Sequence, residues 1–201
     1  MTAREKVFTG IREALAPLKA RAPHPGVAHG VADAQWLGEE KDLEALVVQR
    51  ARAAGTVCFT SVGSCGEWLG GLGVHRIHVA SGFAALAGAA ADIAEIVREY
   101  RREWVDEIDA SFTAAAGAIA ESGTIILTDE STPDRLAALA PWTHIAVVRR
   151  ETIHRSVADA LAAMPDDPNV IWITGPSKTA DVEGILLQGV HGPGVQACLL
   201  V

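Results

Sequence analysis

The stretch from Thr174 to His191, Thr-Gly-Pro-Ser-Lys-Thr-Ala-Asp-Val-Glu-Gly-Ile-Leu-Leu-Gln-Gly-Val-His, concentrates groups that could hold a small anion. It follows the apolar run Val170-Ile-Trp-Ile173, which reads as a buried strand, and leads into an apolar-periodic segment that reads as a helix. A loop between strand and helix presents unpaired backbone N–H groups at the positive end of the helix dipole. Gly175, Pro176, Ser177, Lys178, Thr179 and Asp181 are therefore candidate ligand-binding residues, with Lys178 supplying a full charge for a phosphate or carboxylate. A capped turn is the competing reading, because Gly175-Pro176 turns readily and Ser177 or Thr179 can accept from the first helical amides. A nucleotide P-loop is disfavoured, since Ser177 and Trp172 stand where that motif needs glycines.

Ligands of open α/β sheets collect beyond the carboxyl ends of the strands. On that expectation three loops converge: Gly175 to Thr179, Glu121-Ser-Gly-Thr124, and Gly189-Val-His-Gly-Pro193. Gly123 and Thr124 join the ligand-binding set. Glu121 as general base and His191 as its acid–base partner are the candidate catalytic residues, because a carboxylate and an imidazole can both be tuned toward neutral pH. Each also has a plainer reading, as a helix-end carboxylate and as a turn histidine fixed by Gly192-Pro193.

These loops need elements to position them. Apolar spacing predicts helices over Ala3 to Lys19 and Leu43 to Ala53, the second closed by Gly55. Short apolar strands then alternate with Ala-rich helices. Strands are expected at 56–60, 76–80, 109–113, 124–128, 143–148, 169–174 and 195–201. Helices are expected at 65–69, 83–103, from Ala114 to Glu121, at 132–140, at 156–164 and after the Gly175 loop. This rhythm implies a three-layer α/β/α fold with a largely parallel sheet covered on both faces. Gly70-Gly-Leu-Gly73 follows a helical segment rather than a strand, so a dinucleotide-binding turn is not indicated.

The 201 residues suffice for one substantial core, and 49% apolar with 21% charged residues is a globular balance. A net charge of -8 argues against nucleic acid and anionic membrane as partners. Arg98, Arg101 and Arg102 are interleaved with Glu95, Glu99 and Glu103, which reads as a solvated, ion-paired helix face. Cys58, Cys65 and Cys198 have no Cys-x-x-Cys spacing, so neither a metal site nor a cofactor is expected, and the thiols read as reduced and buried. His24 and His29 lie in a Pro/Gly-rich segment with no partner ligands and receive no role. Without a signal-like start or a bilayer-length apolar run, a cytoplasmic location is expected. Among the tryptophans, Trp172 reads as core, and Trp36, Trp68 and Trp104 as interface candidates.

The run Ile173-Thr-Gly-Pro-Ser-Lys-Thr-Ala-Asp-Val-Glu183, the segment Gly189-Val-His-Gly-Pro193 and the closing apolar strand closely resemble the C-terminal signature of the LutC/YkgG family. These are the lactate utilization C proteins of the LUD domain group. Ala118-Ile-Ala-Glu-Ser-Gly-Thr124 resembles a second signature, and the region from Pro141 to Arg150 is also similar. The resemblance is strong over 107–201 and rests on element order alone over 43–100. It implies a fold like the NagB/RpiA/CoA-transferase group, with residues 1–30 as N-terminal helix and linker and 31–201 as the LUD-like domain. It also implies a place in oxidation of L-lactate to pyruvate beside iron–sulfur-containing subunits, this chain resembling the small member without a cluster. Three functions compete: such a subunit, binding a small anionic metabolite or its partners; a stand-alone enzyme on a phosphorylated or CoA-linked metabolite; and a carboxylate-sensing module. Adjacent genes for cluster-bearing subunits would favour the first.

Overall fold

A computed structural model describes residues 2–17, 41–164, 169–180 and 184–201. Contacts divide the chain into Met1–Ala34 and Gln35–Val201. In the first unit, helix α1 (Ala3–Leu15) opens with a capping box in which Thr2 and Glu5 satisfy each other's backbone amides. None of its residues is buried, and Val7, Phe8, Ile11 and Leu15 stay exposed along one stripe.

The second unit is built on a six-stranded sheet, ordered β1-β12-β7-β4-β2-β3, in which every neighbouring pair is parallel. Its strands are β1 (Val57–Phe59), β2 (Arg76–Val79), β3 (Glu95–Val97), β4 (Ala110–Ala114), β7 (Thr143–Val148) and β12 (Val195–Leu200). Side chains alternate between the two faces. Ile77, Phe112, Ile145, Val147 and Leu199 pack on one face against α3 (Val62–Gly70) and α4 (Ala84–Ala90), through Leu69 and Leu86. Ala146, Val148, Cys198 and Leu200 pack on the other, against Leu46 and Val47 of α2 (Leu43–Ala53) and Ala138 of α5 (Arg135–Leu139). Burial on both sides explains why β7 is apolar almost throughout.

The second face is not covered by helices alone. A four-stranded sheet, ordered β8-β5-β6-β9, adds Ala118, Ile125 and Leu127 to that core. It is made of β5 (Gly117–Ile119), β6 (Thr124–Thr128), β8 (Ile153–His154) and β9 (Val170–Ile173), and Ile119 and Ile126 on its far side pack on Ala160 of α6 (Val157–Ala163). The helix expected up to Glu121 is thus strand β5. Its alanines have high helix propensity, but Ala115, Ala118 and Ala120 are buried at the contact between layers, and that burial outweighs propensity.

Three more expectations are corrected. The long helix over 83–103 stops at Ala90, and Glu95–Val97 becomes the edge strand β3, so its arginines and glutamates do not share a helix face. Strand β9 is only half-buried, with Trp172 exposed rather than in the core, because it closes the small sheet. No helix follows the Gly175 loop among the described residues. Instead β10 (Lys178–Ala180) pairs antiparallel with β11 (Leu186–Gln188), since a short run such as Ile185-Leu-Leu serves a strand as well as a helix.

Candidate functional site

The three loops singled out in the sequence do meet, but at the amino ends of the parallel strands. Gly175 has φ +83°, and a Cβ there would lie 2.3 Å from the Ala54 carbonyl oxygen, so only glycine lets the loop close on the end of α2. Gly123, φ +68°, meets α2 just as closely, at Ala51 N. Lys178 Nζ lies 3.5 Å from the same Ala54 oxygen, where a cation suits the negative end of the helix dipole. The Ser177 amide donates to the Pro193 carbonyl (2.9 Å), the Ser177 carbonyl accepts from Gly189 N (2.9 Å), and Ser177 Oγ accepts from His191 N (3.2 Å). Thr124 Oγ1 bonds Thr174 Oγ1 at 2.7 Å, and Thr179 is committed to the β10–β11 ladder opposite Leu187. Pro176 packs beside Gly55.

With no helix behind it and Ser177 N already paired, the loop lacks the N–H nest expected of it. It lies before β12, β7 and β1, where Val195 N donates to Trp142 O, and not beyond their carboxyl ends. Glu121 Oε1 accepts from Val157 N (2.9 Å), the first residue of α6, so its carboxylate sits at the start of that helix and does not end one of its own, the segment before it being β5. His191 is exposed, and no hydrogen bond joins it to Glu121 among the described residues. Asp181 lies outside the described residues, as do His24, His29 and Trp36.

The carboxyl ends carry a different constellation. From β2 the chain passes to β3 on one side by way of α4, then returns across β2 to β4 on the other, which makes the β2/β4 boundary a topological switch point. A cavity of about 80 Å³ opens there, lined among others by His78, Ser81, Arg98, Thr113, Thr132 and Asp134. That is several times the minimum of about 10–15 Å³ for holding a single water. Its floor is buried and its rim exposed: His78, Thr113 and Thr132 are 3%, 1% and 4% accessible, whereas Ser81, Arg98 and Asp134 reach solvent.

The floor is held by a polar row across the sheet. His78, Ser111, His144 and Gln196 are register neighbours on β2, β4, β7 and β12, all facing the same side. His78 Nδ1 bonds Ser111 Oγ at 2.8 Å, so Nε2 is the ring atom left for the cavity, and Tyr100 meets the ring edge-on at 5.5 Å. Burial pushes the His78 pKa below the ordinary imidazole value, opposed by Asp134 and reinforced by Arg98. His144 is bonded on both nitrogens, Nε2 to Thr113 Oγ1 (2.8 Å) and Nδ1 to Gln196 Oε1 (2.9 Å), and burial lowers its pKa to about 4. Thr132 Oγ1 donates to the Ala114 carbonyl at 2.7 Å, tying the loop after β6 to the end of β4. Arg98 and Asp134 make no ion pair with each other or with any described residue. Among the described residues no group of three or more His, Cys, Asp or Glu could hold a metal ion.

A family model described as the LUD domain matches residues 28–201. The chain belongs to the LUD domain family. Proteins named lactate utilization protein C are similar to parts of it. That of Deinococcus radiodurans is 38% identical over 94 residues, 44% of each chain. That of Macrococcus caseolyticus is 42% identical over 83 residues, 37% of this chain and 36% of the other. The matched stretch thus spans less than half of these relatives' length. A crystal structure of a DUF162 family protein from Deinococcus radiodurans superposes with a TM-score of 0.58 at 24% identity, over 80% of this chain and 96% of that one, and shares the fold.

In this LUD protein the switch-point residues carry no motif in the sequence. Arg98 reads there as one of several solvated charges, and His78, Thr113 and His144 sit within apolar strands. One signal was present: buried parallel strands are apolar, so polar residues at matching positions of His78, Ser111, His144 and Gln196 mark a face with a task.

Proposed function

We propose that this LUD protein is a component of L-lactate utilization, the oxidation of lactate to pyruvate, that binds a small carboxylate in the switch-point cavity and works beside iron–sulfur-containing subunits. The observation that carries the reading is one guanidinium, Arg98, without an ion-pair partner among the described residues, at the mouth of a cavity floored by buried hydroxyls and an imidazole. Arg98 would hold the carboxylate, and His78 Nε2 would face the group next to it. The names of the similar proteins support lactate as the first ligand to try. Lactate at a hundredfold excess over its dissociation constant is expected to stabilise the protein by about 2.7 kcal/mol. Arg98→Met should abolish that protection while leaving the unliganded melting temperature unchanged. Failure of lactate, pyruvate and other small carboxylates to protect the wild-type chain would overturn the reading.

The hairpin face supports the partner half of this proposal. Ile185, Leu186, Leu187 and Val190 are exposed, as is Trp142 against Gly189 and Gly194, and exposed apolar side chains of this kind mark contact with another protein. Leu187→Asp is expected to keep the chain folded and to lose iron-containing subunits on co-purification. Undiminished co-purification would move the contact elsewhere.

A further inference from the structure

Hydrogen-bond polarity in the cavity floor follows from the protein's own chemistry. Gln196 Nε2 donates to the Ala197 carbonyl at 2.8 Å, and a carbonyl only accepts, so the amide cannot be turned the other way. Gln196 Oε1 therefore faces His144 Nδ1, and that nitrogen must carry the proton of the bond. A second proton on His144 would place a charge in the interior without a counter-ion, so Nε2 is bare and accepts from Thr113 Oγ1. The Thr113 proton is thus spent inside the sheet. The Thr132 proton is spent likewise, on the Ala114 carbonyl. Both residues line the cavity. What their hydroxyls have left is lone pairs, and the Asp134 carboxylate on the rim also only accepts.

We infer that Thr113 and Thr132 are specificity-determining residues that select a small carboxylate bearing its own hydrogen-bond donor. The inference rests on the proposed reading of the cavity as a carboxylate site and adds what must sit beside the carboxylate. An acceptor there, such as a ketone oxygen, would face the threonine lone pairs, and a methylene would leave them unpaired. Gln196 and His144 act through Thr113 as positioning residues, because they fix the direction of its proton.

Calorimetry on the full chain with lactate, alanine, pyruvate and propionate separates the outcomes. At least one donor-bearing ligand, lactate through a hydroxyl or alanine through an ammonium, is expected to bind about tenfold or more tighter than both pyruvate and propionate. The tighter of the two identifies the donor. Thr113→Val should lower that ratio, by weakening the donor-bearing ligand and relieving the ketone of pyruvate, and Thr113→Ser should restore it. Thr132→Val, whose partner is a backbone carbonyl, carries the same expectation should the Thr113 variant unfold. Equal binding of lactate, alanine and pyruvate, lost together in Arg98→Met, would overturn the inference and leave the carboxylate site standing. No binding by any of the four would overturn both.

Discussion

The two ends of the parallel sheet are built on opposite principles. At the amino ends, Gly175, Gly123, Lys178 and Ser177 spend their conformational freedom, charge and hydrogen bonds on the end of α2 and on the Gly189–Pro193 segment. At the carboxyl ends, Arg98 and Asp134 on the cavity rim and His78 Nε2, its ring anchored by Ser111, have polar capacity to spare. The first end has the more conspicuous sequence and the second the more available chemistry. A distinctive motif can therefore mark a demanding piece of backbone geometry rather than a ligand site.

The comparison breaks most readily at Gly175. Gly175→Ala adds a Cβ into the Ala54 carbonyl at a positive φ, and the two penalties together should cost about 2–5 kcal/mol in urea unfolding. A variant that kept full stability would show that the amino end is not the structural clamp described. A slightly smaller effect belongs to the buried polar row beneath the cavity. His144 is neutral in the fold, with a pKa near 4 against an ordinary 6.5, so the unfolded chain takes up the proton first as pH falls. Stability from this group is therefore complete above about pH 6.5 and is lost between 6.5 and 4, by about 3 kcal/mol at most. His144→Gln should flatten that part of the stability–pH curve, and an unchanged slope would assign it to other groups. Smallest of all, Lys178→Ala should cost about 0.3–1 kcal/mol, the value of a cation at a helix end, and leave carboxylate affinity untouched. A loss of affinity instead would return the anion site to the Gly175 loop.

Much of the architecture was legible because the relevant forces are local or periodic. Strands β2, β4, β6, β7 and β12 and helices α2 and α6 lie within a residue or two of expectation, since their apolar runs and caps carry the signal themselves. Ser156 and Asp159, for instance, form the capping box that opens α6. The misses share a cause. Gly117–Ile119 and Lys178–Ala180 are strands because of what pairs with them, β6 and β11, and a partner strand, even one hairpin away, leaves no trace in the composition of the segment itself.

By itself the sequence determined the alternating α/β plan, a largely parallel sheet implied by apolar strands, and the family, because periodicity and signature segments are properties of the chain. Only the tertiary structure decided which end of the sheet each loop occupies. That depends on strand order, and the same signature read on a sheet threaded differently would stand at the opposite end. Strand order also set His78, Ser111, His144 and Gln196 side by side from positions as far apart as β2 and β12. The polarity of the cavity follows from that adjacency, because a hydroxyl's proton direction is fixed by its neighbour in space, not by its neighbour in the chain.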